Sequence, residues 1–503
     1  MMEKRVLAAA ALSVAFLGLY TKFVLEPQAR RAPRQIAQVP GDQSKPSAAI
    51  YQQETSLHPI VEEDVITITS GGISLVIGKQ SAAVHEALIH LPSDTVKVSS
   101  KFPIFSVQLP KQQLAWRLDT QTHEAATFIA SSDSGAKYNL TYETTNGLYT
   151  ADVTLNALSG EAQKALITTT WTQADALSGR QNPLEMVVSG PKDGGIWYQR
   201  FHPDHKSGKN VPRGTLLVSL TERYFTQALR HVSGLAQAQL LGSPQGIIAA
   251  ESTVDLGYKG TLYFGPRDYF YLKQAGFADV FKVGALGQIG LILVMVLKWI
   301  AGITHNYGVA ILILSALISS MMAPFTLISM RSMKKMQSLK PEMDRIMAKH
   351  KGNTQKGNQE VMELYKKHKV SPLSGCLPMF MQIPIFIALL QAITHFIGFR
   401  GAHFLWIKDL SLPDKAFALP VALPLLGSYL NILPLVMAGL MYFQTKLSQQ
   451  NMSAPGPNQP PNFMAGPVMP IMFGVMFYQF PSALVLYWLT NSAISIGTYR
   501  LVR

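Results

Sequence analysis

SALISSMMAP, Ser315 to Pro324, lies inside an apolar run from Tyr307 to Ile328 and carries three hydroxyl side chains. A run of this length, about 20 residues, can cross the hydrocarbon core of a bilayer as a helix. Ser315, Ser319 and Thr326 are spaced at i, i+4 and i+11, which places them on one helical face. The stretch therefore predicts a membrane helix with one polar side.

The composition is that of a membrane protein with a large soluble part. The 503 residues are 48% hydrophobic and only 15% charged, which is too apolar for an ordinary soluble multidomain chain. The single cysteine, Cys376, gives no disulfide framework and no Cys/His zinc site. The motifs HExxH, GxSxG and the phosphate-binding loop do not occur in the sequence. We therefore expect no cofactor, no metal and no enzymatic activity.

Charge and hydropathy together predict the topology. Lysines and arginines outnumber acids 44 to 30, an excess that could indicate nucleic acid, a membrane surface or cytoplasmic loops. Arg331–Lys369 holds eleven of these cations against four acids, so we expect this segment in the cytoplasm. Residues 1–26 predict an uncleaved transmembrane anchor, with a cleaved signal peptide as the alternative, and residues 27–56 a linker.

Further apolar runs add four spans to the anchor and to Tyr307–Ile328. These runs are Leu373–Ile397, Phe417–Tyr442, Val468–Phe480 and Ala483–Tyr499. The count is then six transmembrane helices in an α-helical bundle, with both termini in the cytoplasm.

Residues 57–265 predict a large exported β-sandwich. Short alternating runs such as DVITITSGGISLVIG are separated by Gly, Asn, Asp and Ser, as strands and turns are. His202, Asp204 and His205 in RFHPDHKSG could bind a metal or a sugar, but no second cluster has the spacing of metal ligands. A proline-turned surface loop is the favoured interpretation.

Residues 266–306 predict an interfacial amphipathic helix region. Gln288 and Lys298 interrupt the apolar stretch Val283–Ile303, which could either span or lie along the interface. One crossing suffices between the exported domain and the basic segment, and Tyr307–Ile328 supplies it. We therefore expect residues 283–303 on the outer surface of the bilayer.

Residues 329–370 predict a cytoplasmic helical hairpin. Met330, Met333 and Met336 recur at helical spacing, and KGNTQKGN is the expected turn. Its lysines could be a solvated face and topology signal, or a docking surface for anionic lipids, ribosomal RNA or a partner protein. The docking residues would be Arg331, Lys334, Lys335, Lys340 and Arg345.

Polar side chains recur on four of the last five predicted spans, which indicates a shared wet interior. The alternative is that each hydroxyl bonds its own backbone at i−4 or eases helix packing. The candidate groove residues are Ser315, Ser319, Thr326, Gln382, Gln391, Thr394, Ser428, Asn431, Tyr487, Asn491 and Ser495.

Several motifs in order resemble the bacterial YidC-type membrane protein insertases. They include FGPRDYFYLKQAG, MAPFT before MKKMQSLKPEM, ELYKKHKVSPLSGCLPMFMQIPIFIALL, FLWIKDLSLPD and FPSALVLYWLTNS, covering roughly Thr261 to the C-terminus. The resemblance implies a periplasmic supersandwich domain and an insertase core, residues 307–503, whose five spans enclose a hydrophilic groove. It also implies the bacterial inner membrane as location, nascent membrane proteins as substrates, and the ribosome and Sec translocon as partners, with no dedicated nucleic-acid target.

One departure from that family concerns Ser319. The family places a groove arginine five residues before the proline matched here by Pro324, and that position is Ser319. Lys298 or His395 could supply another cation, but we expect a neutral groove centre.

Two other function classes remain open. A transporter or channel would also use polar stripes, but the spans lack Asp and Glu to couple ions, and the sequence shows no inverted repeat. A membrane-tethered periplasmic carbohydrate-binding protein would require a sugar site in residues 57–265.

Overall fold

The computed structural model describes residues 59–501 with internal gaps. The gaps are 93, 110–113, 133–134, 146–147, 160–163, 172–184, 193–194, 202–208, 212–213, 233–236, 243–247, 282–284, 351, 369, 371–376, 424–426 and 451–467. The predicted anchor, the linker, Cys376 and the loop His202–His205 lie outside the described residues. The chain divides into two units, Met1–Gly265 and Pro266–Arg503.

The first unit contains two nine-stranded sheets built mainly from antiparallel pairs. The first sheet has the order β1 (Val65–Thr69), β2 (Ile73–Gly78), β3 (Val84–His90), β5 (Phe105–Gln108), β10 (Lys164–Trp171), β17 (Ile248–Asp255), β16 (Gln237–Gly242), β13 (Lys209–Val211), with β4 (Thr95–Ser99) also on β3. The second has the order β12 (Gly195–Phe201), β11 (Glu185–Lys192), β14 (Leu217–Thr221), β15 (Phe225–His231), β18 (Tyr258–Pro266), β9 (Thr150–Ser159), β8 (Lys137–Thr144), β7 (Ala125–Ser131), β6 (Ala115–Gln121).

The two sheets bury their inner faces against each other. Along β8, side chains alternate between exposed or half-buried and buried positions, as expected when one face of a strand points into a core. The buried Tyr142 on β8 meets Phe105 of the other sheet edge to face, with ring centroids 6.0 Å apart. Its hydroxyl also donates to the carbonyl oxygen of Ala82, at 2.8 Å. The predicted β-sandwich is confirmed.

The second unit contains nine α-helices and one β-hairpin in its described residues. They are α1 (Tyr269–Gln274), α2 (Ala285–Thr304), α3 (Tyr307–Ser338), α4 (Lys340–Lys349), α5 (Thr354–Lys367), α6 (Leu377–His395), β19 (Phe417–Leu423), β20 (Gly427–Leu430), α7 (Ile432–Gln450), α8 (Val468–Phe477) and α9 (Ser482–Leu501). In this bundle α9 packs on α3 and α7, and α2 packs on α3 and α6. Phe477 and Trp488 pack against each other where α8 turns back into α9, with ring centroids 5.4 Å apart and ring planes tilted by 42°.

Helix α3 is longer than the predicted span Tyr307–Ile328. It runs unbroken through Pro324 to Ser338, a length of about 48 Å at 1.5 Å per residue. This exceeds the ~30 Å of a hydrocarbon core, so the basic end of α3 extends beyond it. Within the predicted hairpin 329–370, residues 329–338 thus continue α3, and α4 and α5 form the two arms of the hairpin.

The predicted span Phe417–Tyr442 was wrong in its first half. Residues Phe417–Leu423 and Gly427–Leu430 form the hairpin β19–β20, and the helix begins only at Ile432. Pro420 and Pro424 stand four residues apart in this stretch, so two neighbouring turns of a helix would each lose a hydrogen bond, whereas a single proline such as Pro324 leaves α3 unbroken.

Six crossings are not confirmed. Within the described residues, two helices contain a window long and apolar enough to cross a membrane, Gly287–Thr304 and Tyr307–Met336. Shorter apolar helices cover Gln382–His395, Ile432–Leu447 and Val468–Phe477. The interfacial placement of residues 283–303 stays a prediction, since α2 has the length of a span.

The buried pair His231 and Tyr258 predicts acid sensitivity in the first unit. Tyr258 Oη lies 2.8 Å from His231 Nδ1, and burial lowers the pKa of His231 from 6.5 to about 3. Below pH 6.5 His231 becomes protonated in the unfolded chain, but in the folded chain it stays neutral until about pH 3. This residue therefore lowers the free energy of unfolding by up to ~1.4 kcal/mol per pH unit across that window.

His231→Gln should remove this loss, which amounts to about 2 kcal/mol between pH 6.5 and 5. Urea unfolding of the full chain, followed by tryptophan fluorescence at both pH values, measures it. His123→Gln changes an exposed histidine and should keep the wild-type pH dependence. An identical pH dependence in the wild type and His231→Gln would contradict the assignment.

Candidate functional site

Ser319 and Asn491 join α3 to α9 through a side-chain hydrogen bond. Ser319 Oγ donates to Asn491 Oδ1 at 3.0 Å, and both side chains are half-buried. The short serine side chain lets the two helices approach closely, as small residues do between membrane helices. Two of the predicted groove residues are thus in direct contact.

Gln382 and Tyr487 join α6 to the same helix. Gln382 Nε2 donates to Tyr487 Oη at 2.7 Å, and Tyr487 is 1% exposed. Because Tyr487 and Asn491 are four residues apart, they lie on one face of α9. We call Ser319, Gln382, Tyr487 and Asn491 the polar cluster; its four side chains come from three helices and carry no charge at neutral pH.

Three other predicted groove residues bond their own helices. Ser315 Oγ donates to the carbonyl of Ile311 at 2.7 Å, Thr326 to Met322 at 3.2 Å, and Thr394 to Leu390 at 2.7 Å. Each is the i−4 bond that the alternative interpretation predicts. Gln391 and Ser495 are half-buried on α6 and α9.

Ser428 and Asn431 do not belong to a membrane helix. Ser428 lies exposed on β20, and Asn431 is the residue before α7. Asn431 is buried: its Nδ2 donates to the Tyr478 carbonyl at 2.7 Å, and its Oδ1 accepts from the Lys415 N–H at 3.0 Å. The predicted polar stripe on a fourth span was therefore wrong, since Ser428 and Asn431 both precede the first residue of α7, Ile432.

The two candidate cations are held in other contacts. Lys298 Nζ donates to Asp268 Oδ2 at 2.7 Å and lies 4.7 Å from the ring centroid of Phe270. Asp268 also caps α1, because its Oδ1 accepts from the N–H of Phe270. His395 Nδ1 lies 3.0 Å from the carbonyl oxygen of Gln391 on its own helix. The sequence analysis missed Asp268, although an aspartate before an apolar run is a recognisable helix cap.

The predicted docking residues lie on two helices. Arg331, Lys334 and Lys335 are exposed on the end of α3, while α4 carries the half-buried Lys340 and the exposed Arg345. Within the hairpin, Tyr365 Oη lies 3.2 Å from Met343 Sδ. This contact favours a packing role for the methionine of α4.

Potential metal ligands do not cluster in the described part of the chain. No group of three or more His, Cys, Asp or Glu side chains there has the geometry to hold an ion.

Asn431→Ala should destabilise the second unit by about 1–3 kcal/mol, since it leaves the Tyr478 carbonyl and the Lys415 N–H unpaired in a buried place. Ser428→Ala removes an exposed hydroxyl three residues away and should change stability by less than about 0.5 kcal/mol. Thermal unfolding of the detergent-solubilised chain compares the two variants. Equal effects would show that the hydrogen bonds of Asn431 do not stabilise the connection between β20 and α7.

Ser319→Ala and Asn491→Ala should be coupled in a double-mutant cycle. Hydrogen bonds between membrane helices contribute on average ~0.6 kcal/mol and at most ~1.7 kcal/mol by this method. The free energy of unfolding in mixed micelles measures the coupling. Ser320→Ala, the matched change at an exposed neighbouring serine, should show no coupling to Asn491→Ala. Coupling as large for Ser320 as for Ser319 would argue against a specific contact.

Known proteins resemble both parts of the chain. The family model described as 60Kd inner membrane protein matches residues 299–503. A membrane protein insertase YidC from Syntrophobacter fumaroxidans is 39% identical over 280 residues, 55% of this chain and 48% of that protein. The chain spans about half the length of the first curated relatives it matches.

Two further comparisons cover most of the chain. A crystal structure of an active YidC insertase with its first transmembrane domain resolved covers 88% of this chain and 93% of its own, with 17% identity and a TM-score of 0.39. The membrane protein insertase YidC of Syntrophus aciditrophicus is 30% identical over 459 residues, 86% of this chain and 78% of that protein. This chain therefore belongs to the YidC family of membrane protein insertases, a family of inner membrane proteins.

Proposed function

We propose that this chain is a membrane protein insertase and chaperone. It passes polar segments of nascent membrane proteins through a hydrophilic groove and releases their apolar helices sideways into the lipid. Relatives named membrane protein insertase support the general activity. No nucleotide hydrolysis and no covalent step are required.

The energetic problem is the polar backbone of the translocated segment. An amide moved into hydrocarbon without a partner costs roughly 2–7 kcal/mol. A hydrated groove that reaches partway across the membrane lowers this cost because water and side chains replace the lost hydrogen bonds. Burial of the apolar helix in lipid, near 25 cal/mol per Å², then drives the process downhill.

The polar cluster is the observation that carries this proposal. Ser319, Gln382 and Asn491 are half-buried, so their amide and hydroxyl groups are packed between helices and still partly accessible. They bond one another or Tyr487 across helices, at 3.0 and 2.7 Å. A substrate amide can exchange with such a partner, whereas the i−4 bonds of Ser315 and Thr326 remain within their own helices. Gln391 and Ser495 are the proposed extensions of this groove.

The groove centre is proposed to be neutral. Lys298 is paired with Asp268, so it is not a free cation for the substrate. A neutral groove accepts uncharged polar tails and gains little from acidic ones.

The remaining assignments follow the predicted topology. We propose that the β-sandwich lies in the periplasm, that both termini are cytoplasmic, and that the chain is multi-pass. The exposed cations Arg331, Lys335 and Arg345 are proposed to meet the ribosome or anionic lipid headgroups, and the Sec translocon is a further partner.

Photo-crosslinking and tail substitution test this function together. A photoreactive residue at position 319 or 491 should crosslink to a stalled nascent membrane protein. In vesicles without ATP, the wild type should insert a single-span substrate with a neutral tail at least as well as one with an Asp-bearing tail. Ser319→Arg should raise insertion of the acidic tail by up to about fivefold, since an accessible ion pair contributes ~0.2–1 kcal/mol.

Ser320→Arg is the matched control, because it places the same charge on an exposed position one residue away. It should not reproduce the gain. A strong preference for the acidic tail in the wild type would contradict a neutral groove, and failure to insert either tail would contradict the proposed function itself.

A further inference from the structure

A tight turn between α6 and β19 presents two apolar side chains outward. Phe404 and Ile407 exchange both backbone hydrogen bonds, each 2.9 Å long, so Leu405 and Trp406 form the apex. Ile407 is buried and Phe404 packs on the core of the second unit, where a Cβ at Gly308 would collide with its ring. Leu405 is 75% exposed and Trp406 47% exposed. The base of the turn is thus anchored while its apolar apex is uncovered.

The backbone at the apex does not favour a leucine. Leu405 has a φ of +53°, in the left-handed region where a side chain crowds the following carbonyl. Glycine is the usual residue where a turn requires positive φ at its first central position. The leucine is therefore disfavoured at this position by both its exposure and its backbone conformation.

The turn is fixed to the start of α7. Trp406 Nε1 donates to Asp414 Oδ2 at 3.3 Å, and the same oxygen accepts the N–H groups of Ile432 and Leu433 at 2.8 and 3.0 Å. One turn further along α7, Leu435 and Val436 are exposed apolar residues. Exposed apolar side chains of this kind are typical of surfaces that contact a membrane or another protein. The apex is thus linked to the start of a helix that exposes apolar side chains.

The exposed charges around the turn are positive, which favours contact with an anionic surface. Residues 400–432 contain two acids: the half-buried Asp409, whose Oδ1 accepts from the N–H of Ser411 at 2.8 Å, and the buried Asp414. Lys408 and Lys415 are exposed. Tryptophan at headgroup depth beside lysines is the arrangement that holds proteins at anionic membrane surfaces.

We propose that the turn Phe404–Ile407 is a membrane-interface anchor. Leu405 and Trp406 insert at the boundary of headgroups and acyl chains, and Lys408 and Lys415 meet the phosphates of anionic phospholipids. The anchor fixes the depth of the α6–α7 connection in the bilayer. It depends on the chain being an inner membrane protein and not on the insertase activity.

Spin-label accessibility in vesicles tests the anchor. Cys376→Ser removes the single native cysteine, and Leu405→Cys then carries a nitroxide on the full chain in vesicles of phosphatidylethanolamine and phosphatidylglycerol. The label should collide readily with oxygen and poorly with a water-soluble nickel complex. Val232→Cys, an equally exposed apolar position in the first unit, is the matched control and should show the opposite preference.

The other outcomes are informative. Nickel access at 405 equal to that at 232 would overturn the proposal, and so would shielding from both reagents, which would mean that protein covers the turn.

The label should lie deeper with phosphatidylglycerol than in phosphatidylcholine alone, and equal depths would overturn the role of the lysines. Leu405→Gly should fold with an unchanged or raised Tm, because it relieves the backbone, and a lowered Tm would show that Leu405 serves packing instead.

Discussion

Hydrocarbon offers no hydrogen-bond partners, so polar groups in the helical unit must find theirs in protein or trapped water. The unit meets this constraint in three ways. Ser315, Thr326 and Thr394 use the carbonyl one turn back on their own helices. The polar cluster uses contacts between helices, and Asn431 uses the backbone at the junction of the β-hairpin and α7.

Hydrogen bonds within one helix and hydrogen bonds between helices differ in how far they fix the packing of the bundle. An i−4 bond remains within one helix, so it does not specify how helices pack. A bond between helices fixes their relative positions, and it opens when either helix shifts or when a third polar group competes. Both inter-helix contacts of the cluster converge on α9, which also packs on α7, so this helix links the polar cluster to the rest of the bundle.

The sequence predicted those features that depend on local pattern. Alternating strands gave the β-sandwich, and the spacing of Ser319 on α3 and of Tyr487 and Asn491 on α9 identified the faces that meet. The sequence did not show which residues form pairs: Asp268 and Lys298 are 30 residues apart, and the bond between Gln382 and Tyr487 joins residues 105 apart. Hydropathy also misplaced the start of α7, because FALPVALP is as apolar as a helix although its prolines prevent one.

In the proposed function, the weakness of inter-helix hydrogen bonds would let the polar cluster bind a substrate segment only transiently. At ~0.6 kcal/mol on average, such a bond is about as large as thermal energy, so breaking it adds only a small barrier. The Asp268–Lys298 ion pair differs, since the Asp268 side chain is 4% exposed and removal of Lys298 would leave a buried carboxylate without its cation. In the proposed function, the uncharged Ser319 and Asn491 would therefore exchange partners with a substrate amide, while the Asp268–Lys298 pair holds α1 against α2.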